Sequence, residues 1–326
     1  MRIEDFSDKT ALIDKEIESV LKGSTPNLHD AMHYHMSTGG KRVRPLLAIL
    51  TCEALGGLVE KVVPFAAACE LLHNWFLIHD DIEDGDKIRR NQPTVWVKYG
   101  MSHAINTGDY MAHKVFELIL RCKERGVDDT TITKLFRETV DTTLCTAEGQ
   151  TMDMNMRSSN SPTEEDYMKM VMGKTGRYLI MPMMGGAIIA GREDLADKII
   201  EFGKCIGPAF QIRDDILDLT EGKGRNEIGR DIKEGKRSMM VVHCLQKATK
   251  LQKEKLLGVL NKPIEKTTND DVIYAKSLFE KYGSIEYATK RAEELAEKAK
   301  DVSAQLPEKL QQIMDFFADY LVKRVK

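Results

Sequence analysis

Two acidic pentads in this chain have the residue types and spacing for chemistry, and they are built alike. Asp80-Asp81-Ile82-Glu83-Asp84 and Asp214-Asp215-Ile216-Leu217-Asp218 each carry aspartate at i, i+1 and i+4 behind an apolar run. On a helix, i and i+4 share a face, so each pentad aims two carboxylates at one point. Carboxylates that close repel one another and partly protonate unless something positive holds them charged. Two such clusters facing each other would suit magnesium ions that also hold a phosphate-bearing substrate. Arg89 and Arg90 follow the first pentad, and Gly235-Lys236 ends the glycine-rich stretch after the second. Guanidinium forks suit the phosphate oxygens that a metal leaves free. His73 shares the first pentad's face, because 73, 77, 80 and 84 follow helical spacing. Upstream, Gly39-Gly40-Lys41-Arg42-Val43-Arg44-Pro45 concentrates cations where glycines let backbone approach a ligand. A lone pentad also describes a solvated acidic helix end, and a lone basic cluster a solubilising face. Their conjunction is what favours a site. Gly173-Lys174-Thr175 resembles the end of a phosphate-binding P-loop, but Met168 stands where that loop needs its first glycine.

The elements that must position these groups read as helices. Apolar residues recur at helical spacing over 11–21, 46–58, 62–81, 103–125, 131–156, 163–180, 195–219 and 285–306, and no strand-type alternation stands out. Thr25-Pro26 and Ser161-Pro162 place a capping residue before a helix-starting proline, with Glu164 completing a capping box for Ser161. Gly56-Gly57, Gly100 and Gly283 punctuate helix ends. Residues 221–238 hold four glycines and ten charged residues without an apolar stripe, and so read as a loop. No Pro- or Ser-rich boundary divides the chain, so the expectation is all-α: one large helical domain over residues 1–326.

Composition excludes several classes. A net charge of −3 leaves no basic excess for nucleic acid. The six cysteines are scattered, without a Cys-x-x-Cys pair, which reads as reduced and cytoplasmic. The longest apolar run, 179–191, contains Pro182 and Gly185-Gly186 and is too short to span a bilayer, so no membrane segment is expected.

In order along the chain stand Gly39-Gly40-Lys41-x2-Arg44-Pro45, His73-x6-Asp80-Asp81-x2-Asp84-x4-Arg89-Arg90, Gln150-x2-Asp153, Lys174-Thr175, Gly207-x2-Phe210-Gln211-x2-Asp214-Asp215-x2-Asp218 and Gly235-Lys236. This series resembles the trans-type isoprenyl diphosphate synthases. The resemblance implies a helical bundle around a deep central cavity, in a homodimer that joins isopentenyl diphosphate head-to-tail to an allylic diphosphate. It also implies about three Mg2+ ions, with Asp80 and Asp84 as ligands on one wall and Asp214 on the other. Asp81, Asp215 and Asp218 would support them, with Gln150 and Asp153 beside the same cluster. Arg89, Lys174 and Lys236 would hold the allylic diphosphate. Lys41, Arg44, His73 and Arg90 would hold isopentenyl diphosphate, with Arg324 closing over it. Thr175 and Gln211 would point dipoles at the developing carbocation. The chain departs from the family at Asn91 (commonly Gly), at Trp96 (commonly His) and after Gly235-Lys236, where Ser238-Met239-Met240, following Arg237, stands for the usual Thr-Leu-Pro.

Trp75 and Phe76 lie about one turn before Asp80, roughly 5–6 Å deeper along the helix. In the resembled family, bulk there shortens the product tunnel, so the expected product is of farnesyl or geranylgeranyl length. The alternatives are a class I terpene cyclase, which shares the first pentad and the fold, and a non-catalytic synthase subunit.

Overall fold

The computed structural model describes residues 1–220 and 228–323, with side chains to Val322. Its helices are α1 (Ser7–Val20), α2 (His29–Ser37), α3 (Val43–Ala54), α4 (Val59–Glu83), α5 (Val95–Tyr99), α6 (Met101–Arg121), α7 (Asp129–Met156), α8 (Glu164–Val171), α9 (Arg177–Ile189) and α10 (Ala196–Thr220). They continue with α11 (Arg230–Lys233), α12 (Met239–Lys247), α13 (Lys250–Leu260), α14 (Asn269–Lys281), α15 (Ser284–Ser303) and α16 (Glu308–Lys323). Strand structure among the described residues is one two-stranded hairpin, β1 (Ile88–Arg89) and β2 (Gln92–Pro93), with Ile88 opposite Pro93 and Arg89 opposite Gln92. The all-α expectation therefore holds. Two compact units are distinguishable: Met1–Asp141 with Leu179–Ile199 and Leu306–Ile313, and Thr142–Tyr178 with Ile200–Gln305 and Met314–Lys326.

In the first unit the core gathers on α4, which packs against α1, α3 and α6. Phe65, Ala66, Ala67, Leu71 and Leu72 are all fully buried on it, so this helix is apolar all round, as a helix enclosed by others must be. By length and composition α4 could cross a bilayer, but 72% of its most apolar window is buried inside the protein. It is a core helix, and it, rather than 179–191, is the most membrane-like stretch. The glycine pair of α9 allows close packing: a Cβ at Gly185 would lie 1.9 Å from the Phe65 ring, and one at Gly186 2.5 Å from the Ala48 carbonyl oxygen.

In the second unit α12 packs on α8, α14 and α15. A buried stripe of Ala288, Ala292, Ala296 and Ala299 runs along α15 at helical spacing. The cap of α8 is two residues later than the sequence reading. Thr163, not Ser161, is the N-cap, and Asp166 rather than Glu164 completes the box, at 3.1 Å from Asp166 N to Thr163 Oγ1. Likewise α2 begins at His29, after a turn over 26–28, instead of at Pro26. Within the stretch read as a loop, residues 230–233 form the short helix α11, while 221–227 lie outside the described residues.

Candidate active site

The first pentad occupies the last turn of α4. The helix stops there because Gly85, at φ +66°, takes the left-handed position that a side chain disfavours. Gly85 N donates to Ile82 O and Asp86 N to Asp81 O at 2.8 Å, a Schellman ending. Carboxylates at the negative end of a 25-residue helix intensify each other's demand for a cation. Arg89 meets part of it: Nε donates to Asp81 Oδ1 at 2.6 Å and Nη2 to Asp80 Oδ2 at 3.3 Å. Asp81 is buried, and burial pushes its carboxyl up to about 7 against the pull of Arg89. Asp80 stays partly exposed beside it.

The hairpin β1–β2 presents the arginine pair. Arg90 (φ +52°) and Asn91 (φ +59°) are its two turn residues, the type I′ conformation that suits Asn as well as Gly. This explains how Asn91 serves where the resembled family has glycine. Trp96 Nε1 donates to Asp86 O at 2.7 Å and Thr94 Oγ1 to the same oxygen at 2.8 Å, so the indole fastens the loop at the other departure. Arg90 reaches back to the Gly39 carbonyl and to Thr38 Oγ1. The hairpin and the Gly39-Gly40 loop are thus held together, with a Cβ at Gly40 only 3.2 Å from the Arg90 guanidinium.

Arg42, which carried no assigned role, anchors that loop. It is 8% exposed, adopts a left-handed φ of +51°, and donates to Asp14 Oδ1 at 2.8 Å and Glu70 Oε1 at 3.0 Å. Asn74 Nδ2 donates to the same Glu70 oxygen at 3.0 Å. Lys41 is exposed and Arg44 half-buried on either side. The cation-bearing loop is therefore fastened to α4 in the stretch that carries His73. Burial, reinforced by Arg44, Arg90 and Arg89, holds the His73 ring well below the usual histidine range. It is a neutral hydrogen-bonding group at neutral pH, not a fourth cation. Trp75 and Phe76 stack with centroids 4.7 Å apart and planes 11° from parallel.

In the second unit, close packing between glycines brings the catalytic candidates together. A Cβ at Gly149 on α7 would lie 2.2 Å from Lys174 N, and one at Gly207 on α10 2.6 Å from Gly176 Cα. Between α8 and α9 the chain makes a turn of π-helix, Met172–Gly176, containing Lys174 and Thr175. Such bulges turn side chains off the regular helical face. Lys174 Nζ donates to Asp153 Oδ2 at 2.8 Å. Burial raises the Asp153 carboxyl, but Lys174, Lys236 and Arg157 outweigh it and hold the group below the usual range. Gln150 stands one turn before Asp153 on α7. A relay runs from Thr175 Oγ1 to Gln211 Oε1 (2.9 Å), from Gln211 Nε2 to Asp215 Oδ1 (2.9 Å), and from Tyr167 Oη to Asp215 Oδ2 (2.8 Å). Tyr167 was not anticipated; a buried tyrosine needs a partner, but nothing in the sequence names which.

Asp214 is half-buried and Asp218 fully buried. Asp218 Oδ2 accepts from Asp231 N at 3.0 Å, and Gly229 N donates to Asp218 O at 2.8 Å, so α11 is hung on the pentad's last residue. At the end of α11, Gly235 (φ +72°) and Lys236 close a second Schellman ending, with Lys236 N donating to Asp231 O at 2.9 Å. Lys236 Nζ lies 2.6 Å from Glu234 Oε2 and 3.4 Å from Asp231 Oδ1. Arg324 lies outside the described residues.

Among the described residues no three His, Cys, Asp or Glu side chains form a ready-made metal cage. The donor set still fits Mg2+, which takes only one or two carboxylates and completes its shell with water and substrate phosphate.

The polyprenyl synthetase family matches residues 25–278. A short chain isoprenyl diphosphate synthase of Methanothermobacter thermautotrophicus is 36% identical over 319 residues, covering 96% of this chain and 95% of its own. A geranylgeranyl diphosphate synthase of Saccharolobus solfataricus is 33% identical, covering 98% and 97%. The crystal structure of geranylgeranyl pyrophosphate synthetase from Pyrococcus horikoshii superposes with a TM-score of 0.89 at 33% identity, covering 99% and 98%. By matched span and by similarity to relatives along nearly its full length, the chain belongs to the polyprenyl synthetase family.

Proposed function

We propose that this prenyltransferase joins isopentenyl diphosphate to an allylic diphosphate and releases a short prenyl diphosphate. The observation that carries the reading is the pairing of acid with cation in each unit: Asp80 and Asp81 with Arg89, and Asp153 with Lys174. Each acidic patch is thereby accompanied by groups suited to a diphosphate. Asp80, Asp84 and Asp214 are the proposed Mg2+ ligands, about three ions in all. When bound, the metal neutralises charge on a departing diphosphate. Asp81 holds Arg89 in place, Asp215 is fixed by Tyr167 and Gln211, and Asp218 carries α11.

Arg89, Lys174 and Lys236 bind the allylic diphosphate and stabilise it as it leaves. Lys41, Arg44, Arg90 and neutral His73 bind isopentenyl diphosphate, with Arg324 as a further cation. Thr175 and Gln211 turn their oxygen dipoles toward the positive carbon. The proton lost after carbon–carbon bond formation goes to the released diphosphate. Trp75 and Phe76 form the floor that limits the product to fifteen or twenty carbons.

The six cysteines carry no disulfide among the described residues and five are buried, which supports a reduced, cytoplasmic setting. A homodimer is the proposed assembly, testable by light scattering.

Transfer of radiolabelled isopentenyl diphosphate with Mg2+ tests the reading. Label in an acid-labile allylic product is expected. Diphosphate release without isopentenyl diphosphate would show a cyclase instead, and no turnover of either kind a non-catalytic subunit.

A further inference from the structure

Arg237 heads the fully buried side chains by size, at 1% exposure, and all its hydrogen-bond partners are neutral. Nε donates to the Ser159 carbonyl at 3.0 Å, Nη1 to the Gly235 carbonyl at 2.6 Å and Nη2 to Asn261 Oδ1 at 2.6 Å. A buried charge with no carboxylate beside it is costly, and burial lowers this guanidinium to about 10. The compensation comes from oriented dipoles. Ser159 lies just beyond the end of α7, Gly235 just beyond α11, and Asn261 is the C-cap of α13. Helix C-termini carry partial negative charge. One planar fork thus gathers three helix ends that are far apart in sequence.

Two of those ends belong to the candidate site. The Gly235 carbonyl is in the peptide immediately before Lys236. Ser159 follows the helix that carries Gln150 and Asp153, and Asp153 feels the charge of Lys236. Gly235 packs closely on α13: a Cβ there would lie 2.3 Å from the Leu260 carbonyl oxygen. We propose that Arg237 is a positioning residue that fixes Lys236 beside Asp153, so that Lys236 meets the allylic diphosphate in register with Lys174. The proposal rests on the reading of Lys236 as a ligand of that diphosphate. Arg237 itself touches no substrate.

Steady-state kinetics of the full chain, with each substrate varied in turn, provide the test. Arg237→Met keeps bulk and removes the fork. It is expected to raise KM for the allylic diphosphate about tenfold, the scale of one charge-assisted hydrogen bond, and to leave KM for isopentenyl diphosphate within about twofold. Arg237→Lys is not expected to rescue, because one ammonium does not reproduce a three-way planar fork. In a Lys236→Ala background, Arg237→Met is expected to add less than about twofold to the allylic KM, because both act through one group. If Lys236→Ala raises the allylic KM and Arg237→Met does not, the proposal is overturned and the reading of Lys236 stands. If Lys236→Ala leaves the allylic KM unchanged, that reading fails and the proposal with it. Should Arg237→Met not fold, Asn261→Ala removes one acceptor of three. A rise of about threefold in the allylic KM alone is then expected, and no rise overturns the proposal.

Discussion

Gly207→Ala adds one methyl group where the second unit has no room for it. The new Cβ would lie 2.6 Å from Gly176 Cα and 3.3 Å from Gly176 N, both backbone atoms that cannot rotate away. Carbon atoms in contact prefer about 3.5–4.0 Å, so α10 and the π-turn must separate by roughly 1 Å. That displacement falls on the Thr175–Gln211 hydrogen bond, which is 2.9 Å long. Overpacking costs about 1–3 kcal/mol and the weakened hydrogen bond about 0.5–1.5 kcal/mol. Replacing glycine by alanine in a helix returns about 0.4–1 kcal/mol. The net expectation is a loss of about 0.5–4 kcal/mol, or a thermal midpoint roughly 1–6 °C lower, with turnover reduced as well. Gly258→Ala is the control. Gly258 is exposed on α13 with nothing within 4 Å of its Cβ position, so the same change should stabilise by about 0.4–1 kcal/mol. Calorimetry of both variants reads the two signs. A Gly207→Ala protein as stable as the parent would refute the claim that close backbone approach assembles Lys174, Thr175 and Gln211.

Further outcomes follow from the first unit. Trp75→Ala and Phe76→Ala should each lengthen the product, read by mass spectrometry; unchanged lengths in both singles and the double would sink the tunnel-floor assignment. Arg42→Leu strands Glu70, itself 2% exposed, and should cost about 3–5 kcal/mol. Adding Glu70→Gln should recover part of that, and a strictly additive double variant would contradict the pairing. Burial, aided by Arg90, Arg89 and Arg42, lowers the His35 ring to about 3. The folded state therefore keeps it neutral while the unfolded chain protonates near 6.5. Stability should be full above pH ~6.5 and fall by about 1.4 kcal/mol per unit as pH drops from there toward 3. His35→Gln should flatten that slope in unfolding measured from pH 7 to 4; an unchanged slope would count against it.

Much of this site is legible in the sequence, because its acids obey helical spacing and fall within long apolar periods. The pentads, His73 and Gln211 lie on helices that periodicity alone identifies, and Lys174-Thr175 falls within the apolar period over 163–180. What escaped has a common physical character. The type I′ turn at Arg90-Asn91 is too short to show a pattern. Its two positive φ angles follow from the hairpin, not from an obvious Asn-Gly pair. The π-turn lies where glycines of helices distant in sequence approach closely. Residues 230–238 look like a loop because they are charged, yet Asp231, Glu234 and Arg237 are buried. Lys236 and Arg230 balance the two acids, and helix-end carbonyls with the Asn261 amide oxygen hold Arg237, partners that only the folded chain brings together. Arg42 looked like one more solubilising cation until Glu70 and Asp14 came beside it. Local pattern finds groups that repeat along one helix, whereas pairing across helices becomes visible only once they are packed.

The most direct test of the central claim, that both acidic pentads serve one Mg2+-dependent prenyl transfer, is turnover by Asp80→Ala and Asp214→Ala with isopentenyl and allylic diphosphates at saturating Mg2+. Each is expected to lose activity by orders of magnitude while circular dichroism shows the helices intact. Near-normal turnover in either variant would contradict it.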